Sequence, residues 1–151
     1  MNDKVISTLN DLVETCRDGQ EGFKEASENV KRPDLKQFFN ELAIERAQCA
    51  AELQQEIIKL GGNPEKTGST AGAIHRGWMK IKGTLTGKDD HAILSECERG
   101  EDSAVQEYQD ALKTDMPAIL RLLVNSQFQK IRQAHNHIKQ MRDAKGATTA
   151  R

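Results

Sequence analysis

Aromatic residues are scarce in this chain, at 4% of 151 residues, and there are only three prolines. So few aromatics leave little to build the inner faces of a sheet sandwich. Charged residues at 30% suit long, partly exposed helices better. No apolar run approaches the roughly 20 residues needed to cross a bilayer. The opening MNDKVISTLNDL lacks the charged-then-apolar layout of a secretory signal. Charge of one sign is also missing: the net charge is −1, which removes the basis for broad attraction to nucleic acid or to an anionic membrane. The nearest approach to a basic patch, His75 to Lys82 (HRGWMKIK), reads as a solvated helix face. Cysteine is present but unpatterned. Cys16, Cys49 and Cys97 form no CxxC pair, and each falls on an apolar helix stripe. They read as small buried hydrophobes in a reducing compartment. The expectation is a cytoplasmic domain with no nucleic-acid or membrane partner.

What the chain does have is helical periodicity. Val5, Leu9, Leu12, Cys16, Gly19, Phe23, Ala26 and Val30 recur at spacings of four and three, which keeps one helix face inward. Lys31-Arg32-Pro33-Asp34 closes this helix and opens the next, since Pro33 fits a first helical turn. The second stripe is Leu35, Phe39, Leu42, Arg46, Cys49, Leu53 and Leu60, widened by Phe38, Ala43 and Ile57; Gly61-Gly62-Asn63-Pro64 stops it. A join this short makes helices one and two antiparallel neighbours. Residues 61–88 form a long connection holding one short amphipathic pattern near 71–84 (Ile74, Trp78, Ile81, Leu85). Such a crossover is expected to let helix three run parallel to helix one. Leu94, Cys97, Glu101, Ala104 and Tyr108 mark the third helix, and Leu120, Val124, Gln127, Ile131, Ala134, Ile138 and Met141 the fourth. The reading is an all-α, single four-helix bundle over residues 1–145. Its helices span about 3–31, 34–60, 89–114 and 117–144, and residues 146–151 form a flexible tail.

Each stripe is interrupted near the same height. Counted from the tight turns at about 1.5 Å per residue, Gly19, Arg46, Glu101 and Gln127 fall within one or two turns of each other. The bundle midpoint is therefore expected to gather Gln20, Glu45, Arg46, Glu98, Glu101 and Gln127. Two chemistries fit such a layer. Buried carboxylates at mid-height are what an iron or manganese pair needs, completed by histidine nitrogens. Alternatively Arg46 supplies the positive charge itself, holding Glu101 and Glu45 or Glu98 through forked hydrogen bonds. The residues three before His75, His91, His135 and His137 are Gly72, Lys88, Arg132 and Ala134, so no histidine follows a glutamate at the spacing a carboxylate-bridged centre uses. Glu45 is followed at that spacing by Gln48. The ion-pair reading is favoured; Glu45, Glu98, Glu101 and His135 remain the ligands if a metal binds. Trp78 offers an anchor for a partner, and self-association through helix faces or the crossover helix is the partner expectation.

Asp18-Gly-Gln-Glu-Gly-Phe-Lys-Glu-Ala26, Glu45-Arg46-Ala-Gln, Gly61-Gly-Asn-Pro64, Gly72-Ala-Ile-His-Arg-Gly-Trp78 and Glu98-Arg-Gly-Glu-Asp102 through Tyr108, in this order, resemble a bacterial family of ferritin-like four-helix bundles of unknown function. The resemblance covers nearly the whole chain. It implies a ferritin-like fold with its long crossover between helices two and three, in cytosolic, stress-associated proteins without an established activity. The wider ferritin-like group holds two metals through Glu from two helices and Glu-x-x-His from the other two. This chain departs from that pattern in offering Gln20 on helix one, Gln48 on helix two, and Gln127, Gln129 and Arg132 on helix four. The function expected is a non-enzymatic structural or stress-protective bundle with no cofactor. A degenerate iron or manganese oxidase, or a metal-binding protein, is the alternative.

Overall fold

The computed structural model describes residues 2–64 and 85–149. The expected crossover helix near 71–84 and Trp78 lie outside the described residues. The described residues form four helices: α1 (Asn2–Asn29), α2 (Pro33–Lys59), α3 (Asp90–Leu112) and α4 (Ala118–Thr149). The α4 backbone continues as helix beyond residue 144, where the fourth helix was expected to end.

The helix ends follow from local chemistry. Pro33 sits in the first turn of α2, where its missing N–H costs nothing. At the other end of α2, Gly61 takes φ 83°, a left-handed conformation that L side chains rarely adopt. This lets the Gly61 and Gly62 N–H groups bond to the Ile58 and Ile57 carbonyls, both at 2.9 Å, which satisfies carbonyls the helix would otherwise leave open. Asp89 caps α3 by accepting from the Ala92 N–H at 2.8 Å. Arg121 on α4 donates to the Leu112 and Thr114 carbonyls, closing the end of α3.

The topology corrects one expectation. Asp90, in the first turn of α3, accepts from the backbone N–H groups of Lys31 (2.8 Å) and Arg32 (3.1 Å), in the turn that ends α1. So α3 starts where α1 finishes and runs antiparallel to it. The end of α2 and the start of α3 thus lie at opposite ends of the bundle, which makes α2 and α3 the parallel pair. α1 packs on α2 and α3, and α4 packs on α3 and α2. α2 and α3 therefore face each other across the bundle axis.

The apolar stripes meet in two clusters. One holds Val5, Leu9, Leu12, Leu53, Ala104, Leu120, Val124 and Ile131. The other holds Phe23, Val30, Leu35, Phe39, Leu94, Cys97 and Ile138. Neither cluster contains Arg46 or Glu101, although both residues are fully buried.

Candidate functional site

Arg46 lies on the inward stripe of α2, between Leu42 and Cys49. Burying an arginine without a counter-charge is very costly, so its partner decides whether the site can exist. The partner is Glu101 of α3, reached across the bundle axis. Nη1 donates to Oε1 at 2.6 Å and Nη2 donates to Oε2, a two-pronged pair with both side chains at 0% exposure. The guanidinium carbon also lies 5.2 Å from the centroid of the Phe23 ring, whose electron-rich face favours a cation. Burial acts against the Arg46 charge. The attraction of Glu101 and the hydrogen bonds to it outweigh burial and hold its pKa above the ordinary arginine value. Arg46 therefore stays charged at any physiological pH.

Room for the guanidinium comes from α1. A Cβ on Gly19 would lie 3.0 Å from Arg46 Nη1 and 3.5 Å from its Cγ. The side chain thus lies against bare α1 backbone, and the break in the α1 stripe at Gly19 answers the arginine in the α2 stripe.

A second polar group lies at the cluster that holds Leu9, Leu12 and Val124. The Tyr108 hydroxyl donates to Gln127 Oε1 at 2.7 Å and contacts Cys16 Sγ at 3.1 Å. Gln127 Nε2 donates to the Cys49 carbonyl (3.1 Å) and to Glu52 Oε1 (2.9 Å). Both of those partners accept only, which fixes the Gln127 amide with its oxygen toward Tyr108. Burial first, then the neighbouring thiols, push the Tyr108 pKa well above its usual value, so its hydroxyl stays protonated.

The expected layer is thus only partly one layer. Arg46 and Glu101 bind each other directly. Gln127 belongs to the Tyr108 group instead, its amide engaged by Tyr108, Cys49 and Glu52. Glu98 turns to α4, where Arg142 Nη1 donates to its Oε1 and His135 Nε2 stands 3.8 Å from Oε2. His135 is closer to Asp102, with Nε2 to Oδ1 at 2.6 Å. Gln20 is half-buried and lines a shallow outer groove between α1 and α2 with Lys24, Ala43 and Ala47. Glu45 is half-buried, about 100° around α2 from Arg46. The involvement of Tyr108 with Gln127, Cys49 and Glu52 was not anticipated. Its signal was the seven-residue spacing from Glu101 to Tyr108, which placed the hydroxyl inward without naming its partners.

The residues expected as metal ligands do not fit a dinuclear centre. Both Glu101 oxygens are taken by Arg46, and Glu98 is taken by Arg142. Glu45 and His135 belong to different seams of the bundle. Among the described residues, no group of three or more His, Cys, Asp or Glu side chains is disposed to hold a metal ion. Nor, among them, is any helix long and apolar enough to cross a membrane.

Residues 4–114 match the model of a family described as Domain of unknown function (DUF2383), a span that includes Arg46 and Glu101. No curated protein matches. Among solved structures, the chain is similar to the Mycobacterium smegmatis Dps tetragonal form, with TM-score 0.75 and 14% identity over 91% of this chain and 84% of that one. At that identity the likeness is one of fold. The chain belongs to the DUF2383 family of unknown function, and its fold is a ferritin-like four-helix bundle.

Proposed function

We propose that this chain is a non-enzymatic, cytoplasmic bacterial protein with a structural or stress-protective role, in which an Arg46–Glu101 ion pair stands in place of a di-metal centre. The observation that carries the reading is the two-pronged pair at zero exposure across the bundle axis. A guanidinium there supplies the positive charge a metal pair would bring and consumes the carboxylate best placed to bind one. An ion pair of this kind performs no chemistry. It fixes the register of α2 against α3, since a one-turn slip would bury two separate charges.

The test is anaerobic reconstitution of the purified protein with Fe(II) or Mn(II), followed by metal analysis after desalting and by oxygen uptake. The expected result is no stoichiometric metal and no oxygen consumption above the buffer rate. Retention of a full equivalent, lost in Glu98→Gln and His135→Ala variants, would carry the alternative of a degenerate iron or manganese oxidase or metal-binding protein. Self-association is a separate proposal, checked by light scattering at several concentrations with Trp78→Ala as comparison.

A further inference from the structure

We propose that Cys16 and Cys49 form a reversible disulfide between α1 and α2, made by a hydroperoxide as oxidant. The inference is independent of the role proposed for the Arg46–Glu101 pair and rests on different atoms.

Helix register brings the two cysteines together. The contact of Gly19 with the Arg46 side chain fixes which turns of the antiparallel pair α1 and α2 face each other. One turn back along α1 from Gly19 is Cys16, and one turn on along α2 from Arg46 is Cys49. Two independent contacts agree. Cys16 Sγ touches the Tyr108 hydroxyl, the same hydroxyl binds Gln127, and Gln127 binds the Cys49 carbonyl, so one side chain from α3 and one from α4 close on both cysteines. Register and these contacts place the two side chains on facing turns of α1 and α2. Both are reduced and buried in the same cluster. Cys97 lies in the other cluster.

The two thiols are not equivalent. The neighbouring Cys49 thiol outweighs burial and, with the Arg46 charge, lowers the Cys16 pKa. The neighbouring Cys16 thiol, and then burial, raise that of Cys49. Cys97 is raised as well, by burial and by the charges of Glu101 and Glu96. Either sulfur can attack first: Cys16 attacking with Cys49 resolving, or the reverse, leaves the same disulfide. A chain of hydrogen-bonded polar groups runs from Cys16 through Tyr108 and Gln127 to the exposed Glu52.

The chemistry balances. When Cys16 attacks first, its sulfur bonds to one peroxide oxygen, the O–O bond breaks, and the departing hydroxide leaves as water with the Cys16 proton. Cys16 is then a sulfenic acid. Cys49 sulfur displaces hydroxide from it, forming the S–S bond, and that hydroxide leaves with the Cys49 proton as a second water. Two thiols lose two electrons, and one peroxide becomes two waters.

The test treats the native, full-length protein with hydrogen peroxide at neutral pH, then denatures and alkylates it and maps the peptides by mass spectrometry. The expected result is one linked peptide pair containing Cys16 and Cys49, an alkylated Cys97, and free thiols falling from three to one. Dithiothreitol restores all three, and Cys97→Ala gives the same link. The proposal is overturned by peroxide-treated protein that keeps its circular dichroism and all its thiols, by a link that includes Cys97, or by a Cys16–Cys49 link that forms only in urea.

Discussion

Replacing Arg46 by Met removes the cation and leaves Glu101, at 0% exposure, as a carboxylate with no counter-charge. Breaking a buried pair from one side costs roughly 3–5 kcal/mol. A domain of this size has roughly 5–15 kcal/mol to lose, so the variant is expected to sit near the edge of folding. Glu101→Leu strands the guanidinium and is expected to cost a similar amount. The double variant Arg46→Met/Glu101→Leu buries no charge at all. Replacement of a whole buried pair by apolar groups is often neutral or stabilising by about 1–4 kcal/mol. The shorter Met leaves a gap beside Gly19, and a methyl-sized void takes back about 1 kcal/mol. The double variant is thus expected near or above wild-type stability, far from the sum of the two single losses. Urea unfolding followed by far-UV circular dichroism reads all four proteins, with an unchanged slope showing that the same surface is exposed. Single losses below roughly 1 kcal/mol, the scale of an exposed pair, would refute the reasoning. So would a double variant that loses the sum of the singles. Arginine titration does not enter: with a raised folded pKa, the contribution of Arg46 is fully present below the ordinary arginine value and is lost only as pH rises through the higher one.

Gly19→Ala gains about 1 kcal/mol of helix propensity, but places a Cβ 3.0 Å from a guanidinium nitrogen held rigidly by Glu101. Overpacking at about 1–3 kcal/mol outweighs the gain, so urea unfolding should show a net loss, which reverses in the Arg46→Met/Glu101→Leu background. Tyr108→Phe removes the donor to Gln127 and leaves a buried amide oxygen unpaired, for a loss of about 1–3 kcal/mol by the same assay. Asp90→Ala frees the Lys31 and Arg32 N–H groups, so amide hydrogen exchange at those two positions should speed up while α1 core amides such as Leu12 keep their protection.

Much of the bundle was legible along the chain because burial in a helix writes itself at three- and four-residue intervals. Each of Val5, Leu9, Leu12, Cys16, Gly19, Phe23, Ala26 and Val30 is buried as its spacing required. The direction of α3 was not legible. Apolar periodicity reports which face is inward and says nothing of which way the helix points, and a long connection permits either direction. The bond from Asp90 to the Lys31–Arg32 turn decides it, between residues far apart in sequence.

The polar interior divides the same way. Arg46 and Glu101 stand out because a charge on an apolar stripe must be buried with a partner, and counting turns from the two tight joins brought them to one height. Counting from turns fixes height only to a turn or two, so Gln127 was grouped with them although it serves Tyr108, and Glu98 was grouped with them although Arg142 holds it. Sequence alone determined four amphipathic helices and an arginine obliged to find a carboxylate. Tertiary structure alone decided that both Glu101 oxygens are spent on Arg46 while Glu98 goes to Arg142, and that Cys16 faces Cys49. Those outcomes depend on helix direction and rotation to within one turn, which local periodicity does not encode and long-range packing does.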